Sequence, residues 1–120
     1  MSVNLNENDL LNLIKNLDKK QIIIIKFTAS WCMPCKTIEQ ICNKYIKDLP
    51  KSILYYEIDI DNSIELYLKF KKNRMLNGIP SIFAFYPIEK DIWYIPDDSV
   101  LGSDINKVEE FFNRCLNYVK

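Results

Sequence analysis

The chain has no histidine, no net charge and no long apolar run, and each absence excludes a class of protein. A zinc site without histidine needs a second cysteine pair at suitable spacing, which the sequence lacks. The 16 acidic and 16 basic residues cancel, so there is no electrostatic footprint for nucleic acid or an anionic membrane. Apolar runs such as Ile22–Ile25 are far too short to cross a bilayer. We therefore expect no metal, no nucleic-acid partner and no membrane partner.

The composition fits one compact domain. With 120 residues, of which 48% are hydrophobic, the chain can bury a core of its own. No linker, repeat or low-complexity stretch divides it, so we predict a single domain over residues 1–120, and we expect a monomer. Residues 1–7 lack the basic and apolar parts of a secretion signal, which predicts a reducing, cytoplasmic location.

Residues 31–36, WCMPCK, are the most informative segment because two thiols stand two residues apart between a strand pattern and a helical pattern. The start of a helix presents unpaired N–H groups and a partial positive charge, and such a site stabilises a thiolate. We predict that Cys32, at the helix start, is the more exposed and more reactive thiol. Cys35 follows one helical turn later, close enough to form a disulfide with Cys32. Pro34 fits the first turn because it has no N–H to lose.

The other two cysteines, Cys42 and Cys115, are separate from this motif and from each other. Each falls on an apolar stripe at helical spacing, which favours a buried cysteine that acts as a small hydrophobe. The alternative is a regulatory disulfide through either of them.

The apolar spacing and the turn residues predict alternating strands and helices. The expected strands are a short edge strand at 3–5 and longer ones at 21–28, 53–60, 81–85 and 92–95. The expected helices are 7–17 with Asn6 as N-cap, 32–47, 63–72 after an Asn62 cap, and a last helix capped by Ser103 that runs through Val119. This order, βαβαβαββα, describes an α/β fold with a central mixed sheet and helices on both faces.

Two segments carry a family resemblance. Residues 27–36, FTASWCMPCK, followed by Ile79-Pro80-Ser81 ahead of the strand 82–85, resemble the thioredoxin family. The likeness is strongest over residues 21–85, and Gly102 resembles the glycine that follows the last strand in that family. It implies the thioredoxin fold and a thiol-disulfide oxidoreductase that reduces protein disulfides.

The resemblance also implies roles for the site residues. Cys32 is then the nucleophile and Cys35 the resolving thiol, and the peptide bond before Pro80 is cis, so that the backbone of Ile79 can pair with a substrate strand. The substrate-binding residues are expected to be Trp31, Met33, Pro34, Ile79 and Pro80. For Trp31 the alternative is a core aromatic. The redox-active disulfide replaces any cofactor, and the implied partners are disulfide-containing proteins and a thioredoxin-reductase-like flavoenzyme.

Two departures from the family pattern limit the transfer of properties. Met33 stands where thioredoxins usually have Gly, so the reduction potential of the family does not carry over. Segment 87–101 is longer than in the family, which indicates either a longer hairpin or a surface that contacts a partner.

A third departure concerns charge behind the cysteines. Thioredoxins usually have a buried Asp at the position of Lys26 and a Lys at that of Glu57. We predict a charge-swapped pair in which Glu57 is the base that deprotonates Cys35 and Lys26 is its charge partner. In the alternative, one or both side chains reach solvent.

Two other functions fit the same sequence. One is a thioredoxin-fold binding or adaptor module, in which Cys32 and Cys35 are inert or form a static disulfide. The other is a more oxidising disulfide oxidase or isomerase, which differs from a reductase only in potential. The intact Cys-x-Pro-Cys motif favours redox chemistry, because an adaptor does not need both sulfurs.

Overall fold

The computed structural model describes residues 4–73 and 75–120. In chain order these residues form α1 (Glu7–Lys15), β1 (Ile22–Thr28), α2 (Met33–Thr37), α3 (Glu39–Lys47), β2 (Ile53–Asp59), α4 (Ile64–Lys72), β3 (Ser81–Phe85), β4 (Asp98–Leu101) and α5 (Ile105–Tyr118).

The four strands form one mixed sheet in the order β2-β1-β3-β4. β1 runs parallel to β2 and antiparallel to β3, and β3 is antiparallel to β4. Residues 22–27 of β1 are all buried, as expected for a β-branched central strand that is covered on both faces. The predicted mixed sheet is confirmed.

Two apolar clusters cover the two faces of the sheet. On one face, residues of α1 and α4 pack on Phe27, Phe83 and Phe85. Phe70 of α4 lies at the centre of this cluster, with ring centroids 5.6 Å from Phe27 and 5.4 Å from Phe83 in edge-on geometry. On the other face, α3 and α5 contribute a second cluster that contains both Cys42 and Cys115. Helices therefore lie on both faces, as predicted.

Helix α1 begins at Glu7 as predicted but ends at Lys15, two residues before the predicted end, and the next predicted helix differs more. Asn6 caps α1 and shares a capping box with Asp9. The helix expected over residues 32–47 is instead divided at Ile38, which ends α2 and begins α3. The backbone of Ile38 (φ −97°, ψ 1°) leaves helical geometry although no helix breaker stands there, so the sequence carried no local signal for the break.

Two predicted caps are wrong by one residue. Ser63, not Asn62, precedes α4, and its hydroxyl donates to Oδ1 of Asn4 at 3.2 Å instead of capping the helix. Asp104, not Ser103, caps α5 and accepts the first free backbone N–H groups of that helix. A carboxylate is as good an N-cap acceptor as a hydroxyl, so residue type alone could not separate the two positions.

Two of the predicted strands, at 3–5 and 92–95, are not found in the described residues. Val3 lies outside the described residues, and Asn4 and Leu5 are not part of a strand. The strand predicted at 92–95 is wrong, because these residues lie in turns and β4 is Asp98–Leu101. The apolar Trp93 packs on the core cluster, so its hydrophobicity reflects packing of a loop rather than a strand.

The long segment before β4 lies at the end of the sheet opposite the dithiol. Ala84 pairs with Asp98, whereas Ser81 pairs with Leu101 at the end from which β1 leads to Cys32. Internal contacts anchor the segment: an ion pair of 3.1 Å between Lys90 and Asp97, and a hydrogen bond of 3.1 Å from the hydroxyl of Tyr94 to Asn73. This position favours a longer loop over a surface for a protein bound at Cys32.

Two features are absent from residues 4–73 and 75–120. None of the helices there combines the length and the apolarity that a membrane crossing requires. These residues also contain no group of three or more His, Cys, Asp or Glu side chains that could hold a metal ion.

The aromatic cluster predicts a large effect of one truncation. Phe70→Ala removes a fully buried ring and should lower the free energy of unfolding by about 3–5 kcal/mol. Leu68→Ala in the same helix is the matched control, because Leu68 is 52% exposed and its loss should cost roughly 0.5 kcal/mol or less. Urea unfolding measures both values, and equal losses would contradict the central place of Phe70.

Candidate active site

The dithiol lies where β1 is succeeded by α2. Cys32 is the N-cap residue of α2 and has an extended backbone conformation, which confirms its predicted place at a helix start. It forms a disulfide with Cys35, and the two Cα atoms are 5.3 Å apart. The backbone N–H of Cys35 donates a hydrogen bond of 3.1 Å to Sγ of Cys32. The first turn of the helix therefore directs a donor at the first sulfur.

The two sulfur-bearing residues are equally buried in this disulfide form. Cys32 is 4% exposed and Cys35 is 3% exposed, so the predicted greater exposure of Cys32 is wrong for the disulfide. The bond to Cys35 holds Cys32 against the first turn of α2, and both side chains belong to the core cluster under α1 and α4.

An exposed apolar surface borders the dithiol. Trp31 is 63% exposed and Met33 is 68% exposed, and Pro34 is exposed as well. The alternative that Trp31 is a core residue is therefore wrong. The indole Nε1–H of Trp31 donates to Oδ2 of Asp61 at 2.9 Å, which fixes the ring over the site. Asp61 is not among the residues predicted from the sequence, because only the fold brings the start of the β2–α4 loop beside Trp31.

The segment before β3 lies at the same end of the sheet. Ser81 pairs with Phe27, so the residues before Ser81 lie beside the strand that leads to the dithiol. The Ile79–Pro80 peptide bond is cis, as predicted. Ile79 is half-buried against the cluster that contains both cysteines. Pro80 is buried, and its carbonyl accepts a hydrogen bond of 2.9 Å from the N–H of Gly102, whose φ of 96° favours glycine.

Lys26 and Glu57 form an ion pair across two strands. They are register partners in β1 and β2, and Nζ of Lys26 lies 3.9 Å from Oε2 of Glu57. The lysine side chain is 3% exposed and the glutamate side chain 28%. The predicted pair is therefore present, and its ammonium is buried. As in the alternative, one side chain, the carboxylate, partly reaches water.

Tyr55 contacts the same carboxylate. Its hydroxyl donates to Oε2 of Glu57 at 3.3 Å. Burial, and next the nearby Glu57 carboxylate, raise the pKa of Tyr55 far above its usual value, so the hydroxyl keeps its proton and remains a donor. Tyr55 is also not among the residues predicted from the sequence, although alternation along a strand places it on the same face as Glu57.

A cavity of about 190 Å³ lies between this ion pair and the dithiol. Lys26, Cys35 and Glu57 line it, and Cys32 is not among the lining residues. Two exposed charged residues, Lys36 and Glu39, also line it. A polar cavity of this size can hold several water molecules, so water can reach Cys35 from the side of Glu57.

The two remaining cysteines are buried and free, as predicted for small hydrophobes. Burial raises the pKa of Cys42 to about 11 and that of Cys115 to about 12. Because the thiolate is the reactive form, both sulfurs are inert at neutral pH.

The thioredoxin family model matches residues 2–94 of this chain, which include the dithiol, the Lys26–Glu57 pair and the cis proline. The chain belongs to the thioredoxin family. Among similar proteins, Thioredoxin H8 of Arabidopsis thaliana is 28% identical over 87% of this chain and 62% of its own length. Thioredoxin 3 of Plasmodium falciparum (isolate 3D7) is 28% identical over 92% of this chain and 57% of its own length. Each match thus spans less than two thirds of the relative.

Solved structures share the thioredoxin fold. Fasciola hepatica thioredoxin superposes with a TM-score of 0.71 at 24% identity, covering 95% of this chain and 98% of that one. Thioredoxin from Trypanosoma brucei brucei gives a TM-score of 0.70 at 21% identity, covering 98% of this chain and 92% of that one. The predicted fold class is therefore confirmed.

The buried thiols predict a loss of stability at alkaline pH. An unfolded cysteine has a pKa of about 8.5, whereas burial raises the values of Cys42 and Cys115 to about 11 and about 12. Below the unfolded value both states keep the proton, and the stabilisation is complete. As the pH rises from about 8.5 towards 11, the unfolded state loses protons first, so the free energy of unfolding should fall.

Urea unfolding over this pH range tests the effect with Cys42→Ala. The variant should be less stable at neutral pH because of the cavity, but its stability should fall less steeply as the pH rises than that of the wild type. Tyrosines titrate in both proteins and cancel in the comparison. Equal slopes would show that Cys42 is not protected from ionisation in the folded chain.

Proposed function

We propose that this protein is a thiol-disulfide oxidoreductase that reduces disulfide bonds of partner proteins. The observation that carries the proposal is the Cys32–Cys35 disulfide at the start of α2. The backbone N–H of Cys35 donates a hydrogen bond to Sγ of Cys32. A donor directed at this sulfur stabilises negative charge and so favours the thiolate, which is the nucleophile of disulfide exchange. Membership of the thioredoxin family supports the same chemistry.

The reaction transfers two electrons in two exchange steps. In the reduced protein, the Cys32 thiolate attacks one sulfur of the partner disulfide, and the other partner sulfur leaves as a thiolate that takes up a proton. Cys35 then loses its proton and attacks Sγ of Cys32, which releases the second partner sulfur. The partner is reduced, and the protein is left as the Cys32–Cys35 disulfide.

We assign the docking of partners to the surface around the dithiol. Trp31, Met33 and Pro34 are exposed beside the disulfide, and they offer apolar area that a partner can cover. An extended partner segment would pair with the backbone of Ile79, next to Pro80 at the same end of the sheet.

Glu57 is the proposed base for the second step, with Lys26 as its charge partner. Cys35 and Glu57 line the same cavity, so a water molecule can carry the proton from the thiol to the carboxylate. Tyr55 donates to Oε2 and Lys26 lies 3.9 Å from the same oxygen, so we assign the water to Oε1. The positive charge of Lys26 also favours a thiolate nearby.

The proposed reaction implies certain partners and a compartment. The dithiol supplies both electrons, so the reaction needs no cofactor beyond the disulfide itself. A thioredoxin-reductase-like flavoenzyme is the proposed electron source. The free thiols of Cys42 and Cys115 favour a reducing, cytoplasmic location, where we expect the protein to act as a monomer with one domain.

Reduction of insulin tests the proposed activity. With a chemical reductant as the electron source, the wild type should accelerate the reaction, and Cys32→Ser should abolish the acceleration because the attacking sulfur is lost. Cys35→Ser is the matched control: it should keep the first step and accumulate a mixed disulfide with the partner. An inactive wild type, or an active Cys32→Ser variant, would contradict the proposal.

Substitution of Glu57 separates the two steps. Glu57→Gln should slow the release of a preformed mixed disulfide by roughly 100-fold, because general-base assistance is lost, and should leave formation of that disulfide nearly unchanged. Stopped-flow measurement of each step gives both rates. Glu39→Gln, another carboxylate of the same cavity, is the control and should retain normal release. If both steps keep their wild-type rates in Glu57→Gln, Glu57 is not the base.

A further inference from the structure

Met33 is the most solvent-exposed sulfur-containing residue in the described part of the chain. Met33 is 68% exposed, whereas Cys32 and Cys35 are 4% and 3% exposed. Cys42 and Cys115 are buried, and Met75 packs against the core cluster. In the disulfide form, therefore, an oxidant in solution meets a thioether before it meets any cysteine sulfur.

We propose that Met33 is a peroxide-sensitive modification site at which oxidation weakens the docking of partner proteins. The thioether sulfur attacks the O–O bond of hydrogen peroxide, a new S–O bond forms, and the other oxygen leaves as water. The sulfur loses two electrons and the peroxide gains them. The product is methionine sulfoxide, which methionine sulfoxide reductases can return to methionine.

The position of Met33 connects this modification to docking. Met33 directly follows Cys32, and with Trp31 it forms the exposed apolar surface beside the disulfide. A protein whose disulfide reaches Cys32 must cover this surface. Thioether burial is favourable, but burial of a polar sulfoxide without a hydrogen-bond partner carries a penalty. A small disulfide reagent covers little of Met33, so its reduction should be insensitive to the modification.

The disulfide and a second methionine allow the effect of Met33 oxidation to be measured separately from oxidation of the site cysteines. Because Cys32 and Cys35 are joined, treatment of the disulfide form with peroxide leaves no free thiol at the site. Met75, partly buried in the core, is an internal comparison for the rate of oxidation. Thioredoxins usually have Gly at the position of Met33, so the response belongs to this chain and not to the family.

The experiment treats the disulfide form with hydrogen peroxide, maps the added oxygen by peptide mass spectrometry, and then reduces the protein with dithiothreitol for assay. Met33 should gain oxygen before Met75. The KM for insulin should rise about fivefold, the rate with the small disulfide reagent DTNB should stay within about twofold, and methionine sulfoxide reductase should reverse the change. This part of the inference depends on the proposed reductase function.

Two variants complete the test, each compared with its own untreated sample. Met33→Leu should lose the response to peroxide, and Met75→Leu should respond as the wild type does. Earlier oxidation of Met75, or oxidised Met33 with an unchanged KM, would overturn the proposal. If untreated protein reduces neither insulin nor DTNB, the proposed reductase function fails, and the switch in partner docking fails with it, while the peptide map still decides whether Met33 is the oxidation site.

Discussion

The hydrogen-bonded position of β1 between β2 and β3 is the constraint on which the rest of the structure depends. Residues 22–27 of this strand are buried. Their side chains alternate between the two faces of the sheet and contribute to both apolar clusters. Where it ends, the chain turns into α2 and presents Cys32 as the cap. Its partner strands bring Glu57 beside Lys26 on one side and the Ile79–Pro80 segment to the same edge on the other. The dithiol and its surroundings thus meet at one end of one sheet.

The sequence predicts those parts of the fold in which local pattern and final packing agree. The β-branched run of β1, the Asn6 cap and the long amphipathic α5 are examples. Prediction fails where packing uses residues against their local pattern. Trp93 lies in a loop and packs on the core there, so its apolar side chain does not indicate a strand. β4 is a short edge strand in which only Val100 is buried. An edge strand needs little hydrophobicity, so its pattern is weak.

The candidate site divides in the same way. The site residues within WCMPCK and within Ile79-Pro80 can be predicted from the sequence, because each group is contiguous along the chain. Tyr55 and Asp61 are not visible in this way, since their roles depend on side chains from other elements: the carboxylate of Glu57 and the indole of Trp31. The equal burial of the two cysteines was also beyond local reasoning, because it follows from their covalent bond and from the packing of the first turn of α2.

The ion pair behind the dithiol has a consequence for the order in which substitutions can accumulate. Lys26 is 3% exposed and has Glu57 beside it, so a change of charge at one position leaves the other without a partner or facing a like charge. Removing one partner of a buried pair is destabilising, and the cost here is reduced because Glu57 partly reaches water. Each single step towards the inverted pair therefore carries a cost, which only a second change at the partner position removes. Positions 26 and 57 should consequently change together.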